Sequence, residues 1–211
     1  MLKNKTTIAS ALVLLFGILV FYVGTDGFHA FTSESARTYK LVNNKSFFPE
    51  VTLEDSSERT FTFDKFADGK YVLVTFMYTN CGTVCPILEM NMAEVYDLLP
   101  SEFLGKDIVF LSISFDAERD DPETLAQYGS YFGSDGETWR MARINDQFEL
   151  DTVLDDLGIT VIPDGQGDFQ HNVAFYLFGK QGHLLEVMDF SKIEEATNTV
   201  LSYLNNEGNN Q

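Results

Sequence analysis

Residues 71–86 read YVLVTFMYTNCGTVCP, and this stretch decides the fold. Its first seven residues are apolar or β-branched, which is typical of a strand buried on both faces. Cys81 and Cys85 follow this strand and are the only cysteines in the 211 residues, and Pro86 then opens a helical pattern. Unpaired N–H groups and the helix dipole at a helix N-terminus favour thiolate over thiol, so we expect a reactive dithiol here.

Strands and helices are predicted to alternate on both sides of this stretch. Leu88, Met92, Val95 and Leu99 recur with helical spacing and predict an apolar helix face against a sheet. The other strands are predicted at 48–53, 60–63, 108–114, 139–144, 160–162, 172–178 and 183–188. The other helices are predicted at 122–132 after a cap at Asp121, at 146–157, and at 192–204 after a cap at Ser191.

This order of elements predicts an α/β protein with a thioredoxin-like fold, in which helices flank a central mixed sheet. A loop rich in Asp and Gly over 163–170 leads into a final hairpin, whose turn is 179–182. In such a fold the dithiol lies at the carboxyl end of the central strand, where α/β sheets place their sites. The domain is expected over 46–205, followed by a frayed tail over 206–211.

The N-terminal segment predicts a membrane anchor over residues 1–24. Thr7–Gly24 contains 18 uncharged residues, close to the length that crosses a bilayer, and lysines precede it. The positive-inside rule places the N-terminus in the cytoplasm, and the rest on the periplasmic side of the inner membrane. A cleaved signal peptide is the alternative, but no A-x-A-like site follows the apolar run. Residues 25–45 are polar and are expected to form a tether.

The charge of the chain excludes some classes of partner. The sequence has 14 Lys and Arg against 32 Asp and Glu, which gives a net charge of −18. Such a polyanion repels nucleic acid, so we expect no nucleic-acid partner. The acidic cluster at 116–121 is interpreted as a turn and helix start.

The spacing of the cysteines separates this dithiol from a C-x-x-C redox motif. Residues four apart on a helix share a face, so the sulfurs of Cys81 and Cys85 can converge. Soft thiolates suit Cu(I), and an added imidazole makes a site that also holds Cu(II). A third ligand must then come from elsewhere in the chain. Met77, Met90 and Met92 fall in apolar patterns, so we expect them in the core rather than at a thioether site.

Three histidines are candidates for that ligand. His29 lies in the predicted tether and His183 begins the last predicted strand, so both are expected to face solvent. His171 stands where the Asp/Gly-rich loop enters the hairpin. Because that loop passes close to the dithiol in a thioredoxin-like sheet, we expect His171 to lie near the two sulfurs.

The residues around the dithiol resemble a known family. The run GKYVLVTFMYTNCGTVCP at 69–86 is similar to the copper-binding motif of the Sco/SenC cytochrome c oxidase assembly proteins. The run SISFDAERDDPE at 112–123 resembles the family's strand followed by D-P-E-R-D-x-P-E. His171 with the following AFYL at 174–177 and Gly182 resembles its histidine loop and hairpin. The resemblance covers about 46–203.

The resemblance implies a membrane-anchored metallochaperone without turnover of its own. Such a protein binds one copper ion, Cu(I) or Cu(II), through Cys81, Cys85 and His171. It assists assembly of the copper centre of cytochrome c oxidase, with the copper-binding subunit and a copper donor protein as partners. The alternative is a thiol–disulfide oxidoreductase that uses Cys81 and Cys85 as a redox pair to reduce that subunit's cysteines. A structural disulfide is the third reading, although closing so short a loop would stabilise the chain little.

Four residues near the motif depart from the family pattern. Gly82 and Thr83 stand where Pro-Asp is common, Asn80 replaces a frequent His, and Gln170 replaces a frequent Asp. These changes alter the groups that orient the ligands. They make the redox alternative more credible.

Overall fold

A computed structural model of the chain describes residues 2–25, 32–165 and 167–208. The chain divides into two compact units, Met1–Asn44 and Lys45–Gln211. His29, which the sequence predicts to be solvated, lies outside the described residues.

The first unit contains two helices, α1 (Leu2–Gly24) and α2 (Ser33–Asn43). Within the described residues, α1 is the one helix whose length and composition suit a membrane span, and its apolar segment Thr7–Gly24 is exposed. Helix α2 lies in the segment predicted as a polar tether. It was not predicted, because its capping box pairs Thr32 with Ser35 instead of the Glu or Gln that usually signals one.

The second unit is built on one mixed sheet of seven strands, in the order β2-β1-β5-β4-β3-β8-β9. Its strands are β1 Thr52–Asp55, β2 Thr60–Thr62, β3 Tyr71–Met77, β4 Ile108–Ser114, β5 Trp139–Arg143, β8 Phe175–Phe178 and β9 Leu184–Met188. Two further strands, β6 Val161–Pro163 and β7 Phe169–His171, form a separate two-stranded ribbon. The helices are α3 Phe63–Ala67, α4 Val84–Leu98, α5 Pro122–Ser130, α6 Gln147–Asp156 and α7 Ile193–Gly208.

Strands β3 and β4 form the centre of the sheet and have the predicted bounds. They pair in parallel, and β3 also pairs with β8 in antiparallel fashion. Every residue of both strands is buried, as expected for strands covered on both faces. Strand β1 begins at Thr52, later than predicted. The apolar residues Phe48 and Val51 suggested an earlier start, but they are buried in the segment that precedes the strand.

Helix α4 covers one face of the sheet with the predicted apolar stripe. Leu88, Met92 and Val95 are fully buried, and so is Met77 in β3. The prediction that Met90 belongs to the core is wrong, because its side chain is 62% exposed. Met90 follows Leu88 by two residues, which places it about 200° around the helix from the buried stripe.

Three local predictions in the C-terminal half are also corrected. Residues 169 and 170 were expected in the loop and His171 at its entry into the hairpin, but residues 169–171 form β7, with His171 opposite Val161 of β6. Ser191 was expected to cap α7. Its hydroxyl instead donates to Asp189 Oδ1 at 2.7 Å, and the first helical bond is accepted by the carbonyl of Lys192. Helix α7 extends to Gly208, into the segment predicted as a tail.

A candidate dithiol and metal site

The two cysteines lie where β3 passes into α4. Cys81 is in the connecting loop and is 5% exposed, whereas Cys85 is in the first turn of α4 and is fully buried. Both are free thiols. The backbone N–H of Cys85 donates to Cys81 Sγ at 3.3 Å, and the Thr83 hydroxyl lies 3.7 Å from the same sulfur. The start of the helix is therefore aimed at Cys81.

A buried aspartate holds the loop that carries Cys81. Asp120 accepts hydrogen bonds from the backbone N–H and the hydroxyl of Thr79, and from the hydroxyl of Ser114 at the end of β4. The acidic cluster thus has two different roles. Asp121 caps α5 by accepting from the Thr124 N–H, as predicted, while Asp120 joins the ends of two strands. Sequence reasoning missed this second role.

His171 lies beside the cysteines, as the topology predicted. Its Nε2 is 3.5 Å from Cys85 Sγ, and its Nδ1 is 3.2 Å from the carbonyl oxygen of Asn172. A carbonyl only accepts, so Nδ1 carries the proton in this contact and the Nε2 lone pair faces the sulfur. The structure therefore brings Cys81, Cys85 and His171 together. His183, by contrast, follows the turn of the final hairpin and packs edge-on against Phe47.

An aromatic wall fixes the orientation of the imidazole. The His171 ring packs edge-on against Phe115 at 4.8 Å and Tyr78 at 6.3 Å between centroids. The Tyr78 hydroxyl accepts from the Phe169 N–H at 3.2 Å and lies 3.4 Å from Asp168 Oδ1. Burial raises the pKa of Tyr78 to about 12, so this phenol stays neutral. Tyr78, in the run 69–86 that resembles the family motif, was the only sequence signal for this wall.

The pKa values of the two thiols are shifted in opposite directions. Burial alone raises the pKa of Cys81, but hydrogen bonds from the N–H and thiol of Cys85 and from Thr83 more than offset this and lower it to about 7. Burial raises the pKa of Cys85 well above its ordinary value. Burial also lowers the pKa of His171, which keeps its ring neutral.

A buried carboxyl group lies one helical turn beyond Cys85. Glu89 accepts from the hydroxyls of Thr75 at 2.8 Å and Ser112 at 2.7 Å, and Trp139 Nε1 donates to the same Ser112 oxygen. Burial raises the pKa of Glu89 to about 7, although these hydrogen bonds oppose the shift. Sequence reasoning missed Glu89. The available signal was a charged residue inside the buried face of α4.

The donor set suits a soft metal ion in its chemistry. Two sulfurs and one neutral imidazole nitrogen match the preferences of copper. In the part of the chain that the structure describes, no three His, Cys, Asp or Glu side chains are already spaced to hold an ion. Cys85 is the common neighbour of Cys81 and His171, since its N–H contacts the Cys81 sulfur and its own sulfur contacts His171 Nε2.

The fold and this site define a class of protein. Its members have a thioredoxin-like sheet whose central strand leads into a C-x-x-x-C dithiol, and a histidine far away in sequence lies close to that dithiol. The sequence profile of the SCO1/SenC family matches residues 40–205, which include Cys81, Cys85 and His171. The chain belongs to the SCO1/SenC family. The family and the fold predicted from the sequence are thereby confirmed.

Individual relatives agree with this assignment. The SCO1 protein homolog of Bacillus subtilis is 27% identical over 128 residues, which cover 60% of this chain and 64% of that protein. The match therefore spans less than two thirds of this relative's own length.

Two solved structures share the fold. The structure of Bradyrhizobium japonicum ScoI with copper bound is 25% identical, has a TM-score of 0.60, and matches 74% of this chain and 99% of that one. A structure of BsSco has a TM-score of 0.64 at 22% identity and matches 75% of this chain and 93% of that one. BsSco is described as a member of the Sco family of cytochrome c oxidase assembly proteins with a disulfide switch.

Proposed function

We propose that the chain is a membrane-anchored copper chaperone that binds one copper ion through Cys81, Cys85 and His171. One observation carries this proposal: the imidazole Nε2 lies 3.5 Å from Cys85 Sγ, with its lone pair toward the sulfur. The relative from Bradyrhizobium japonicum, which shares the fold and 25% of the aligned residues, has been solved with copper bound.

The residues of the site have distinct tasks in copper binding. With a pKa of about 7, Cys81 is thiolate in about half of the molecules at neutral pH, and it is the more exposed cysteine, so it makes the first contact with the incoming ion. Cys85 must then lose its proton, because only the thiolate is a ligand. His171 needs no deprotonation, since its Nε2 carries no proton. The hydrogen bond from Nδ1 to the Asn172 carbonyl keeps the ring in this tautomer.

The anchor and the partners belong to the same proposal. Helix α1 would hold the protein in the cytoplasmic membrane, with the N-terminus in the cytoplasm and the second unit on the periplasmic side. There it would receive copper from a donor protein and pass it to the copper-binding subunit of cytochrome c oxidase. Membership of the family and the apolar helix support this arrangement.

An anaerobic Cu(I) titration of the full chain in detergent micelles tests the three-ligand site. We expect one copper per chain, and a loss of affinity of at least about tenfold in Cys81→Ser, Cys85→Ser and His171→Ala. His183→Ala is the matched control, because its imidazole packs on Phe47 instead of the dithiol. Unchanged copper affinity and charge-transfer spectra in His171→Ala would remove His171 from the ligand set.

A second candidate function is thiol–disulfide exchange with the same oxidase subunit. The opposite pKa shifts of the thiols favour it, because the thiolate form of Cys81 can attack while the buried Cys85 resolves the mixed disulfide. We expect the Cys81–Cys85 disulfide to have a potential above the roughly −300 mV of structural disulfides. A potential below that value would favour a structural bridge instead.

His171→Ala also separates the two functions in cells. This variant keeps both thiols but lacks the imidazole, so it retains thiol exchange and loses tight copper binding. Oxidase assembly that fails with both His171→Ala and Cys85→Ser would support copper delivery. Assembly that fails only with Cys85→Ser would support thiol reduction.

A further inference from the structure

A groove of about 480 Å³ lies next to the dithiol site. Its apolar lining comes from β4's end, α6 and the β6–β7 ribbon, and consists of Phe115, Leu150, Leu154, Val161, Pro163 and Phe169. The lining residues of helix α6, Leu150 and Leu154 among them, are spaced three and four apart, so a single face of this helix forms one wall of the groove. The groove is large enough to accept an apolar side chain from a partner.

The groove and the imidazole share the same aromatic side chains. Phe115 packs on the His171 ring at 4.8 Å and on Phe169 at 5.6 Å, and both phenylalanines line the groove. Phe169 also contacts Tyr78 at 5.1 Å. Whatever fills the groove therefore touches the wall that orients His171.

The rim of the groove is acidic. Asp116, Glu118 and Asp151 line it, and no Lys, Arg or His is among the described residues that do so. Asp116 is paired with Arg119, which stacks 5.5 Å over the Phe169 ring beside the groove. Glu118 and Asp151 form no ion pair within the described part of the chain, and both are exposed. The rim thus keeps two uncompensated negative charges.

One large apolar side chain is exposed next to the lining residues of α6. Phe148 follows the lining residue Gln147 and is 81% exposed. Exposed apolar residues rimmed by charges are typical of protein–protein contact sites.

We propose that this groove docks a cationic protein segment, in which an apolar side chain enters the groove and flanking Lys or Arg side chains meet Glu118 and Asp151. The proposal rests on the proposed function, because the segment belongs to the protein that exchanges copper or thiols with the site. Docking there places that protein beside His171. Charge complementarity with this polyanionic chain selects the basic flanks.

Calorimetric titration with model peptides tests the groove. The full chain is placed in nanodiscs of neutral phosphatidylcholine and titrated with acetyl-KKFKK-amide, acetyl-KKSKK-amide and acetyl-EEFEE-amide. We expect binding of the first peptide, with at least about tenfold weaker binding of the other two. Raising the salt concentration should weaken binding of the first.

Charge-reversal variants locate the binding. E118K/D151K raises the net charge by four, from −18 to −14, and should weaken acetyl-KKFKK-amide binding at least about tenfold. E102K/E194K has the same net charge, alters exposed residues outside the groove, and should change binding less than about threefold. Equal weakening in both variants, or equal binding of the Phe and Ser peptides, would overturn the proposal.

Two further measurements complete the test. Copper stoichiometry is measured in both variants, so a failure of copper binding is recorded separately from a failure of docking. Sedimentation of the full chain then tests self-association. If the chain dimerises and E118K/D151K abolishes the dimer, the groove belongs to a second copy and the proposal is wrong.

Discussion

Cys81 and Cys85 differ in protonation although they lie only four positions apart. The N–H of Cys85 points at Cys81 Sγ, so the helix start stabilises a negative sulfur there. Cys85 has passed into the helix and is fully buried, where a negative charge would be desolvated. One helical turn therefore separates Cys81, the more reactive thiol, from Cys85, which burial keeps protonated.

This difference predicts selective alkylation of the metal-free protein. At pH 7, iodoacetamide should modify Cys81 before Cys85, as read by mass spectrometry of the digested chain. Because thiolate is the reactive form and the pKa of Cys81 is about 7, the rate should fall about tenfold per pH unit below that value and level off above it. Equal rates at the two cysteines would contradict the assignment.

Glu89 predicts a pH-dependent stability. Its folded pKa of about 7 lies above the ordinary 4.5, so the folded protein holds this proton more tightly than the unfolded chain. The stabilisation is complete below about pH 4.5 and is lost as the pH rises through about 7. From the size of the shift, the loss is about 3 kcal/mol in free energy of unfolding.

Urea unfolding followed by the fluorescence of Trp139, the only tryptophan, measures this effect at pH 5 and pH 8. Glu89→Gln keeps the side-chain volume and cannot titrate, so its free energy of unfolding should depend less on pH than that of the wild type. An identical pH dependence in the two proteins would mean that Glu89 is ionised in the fold.

At the scale of elements, adjacent aspartates serve different connections. Asp120 joins the loop after β3 to the end of β4, whereas Asp121 caps α5. We expect Asp120→Ala to cost at least about 3 kcal/mol in unfolding free energy, because Thr79 N–H and the buried Ser114 hydroxyl lose their acceptor. Asp121→Ala should cost about 1 kcal/mol.

Copper titration of these two variants separates a positioning role from a structural one. Asp120→Ala should also weaken Cu(I) binding, since the loop that presents Cys81 loses its anchor, while Asp121→Ala should leave binding unchanged. If both variants bind copper as the wild type does, Asp120 contributes stability alone.

Elements with a strong local signal were predictable from the sequence. Strands β3 and β4 are nearly continuous apolar runs, and the apolar residues of α4 recur with a clear helical period. These patterns alone predicted the two strands and the buried face of the helix. Strand β7 could not be predicted, because only its pairing with β6 makes residues 169–171 a strand. Ser191 had the residue type of a cap, but its hydroxyl donates to Asp189, and the first helical hydrogen bond is accepted one residue later by the carbonyl of Lys192.

The site was predictable to a different extent. The dithiol is local in sequence, and the topology places the start of the last hairpin near it, so His171 was expected. Glu89, Asp120 and Phe115 act through contacts between segments far apart in the chain. No spacing rule in a single sequence reports such contacts, because they exist only after the sheet has formed.

At the scale of the whole molecule, the anchor gives a further prediction. L15R/F16R places two charges in the middle of the apolar helix, each costing about 3 kcal/mol at the centre of a bilayer. We expect alkaline carbonate to extract this variant from membranes, while L15A/F16A remains in the membrane fraction. A variant with both arginines that resists extraction would show that α1 does not hold the protein in the bilayer.

The ribbon of β6 and β7 belongs to a different sheet from the strand that leads to Cys81, and it carries His171. A copper ion bound by both the cysteines and His171 would link the ribbon to the loop after β3. No β-sheet pairing joins the ribbon to the main sheet in the described chain. Copper binding would then make the ribbon more rigid. Backbone amides of the ribbon would exchange hydrogen slowly in the copper-bound protein and quickly in the metal-free protein. A receiving protein resting against that ribbon could sense whether the carrier is full.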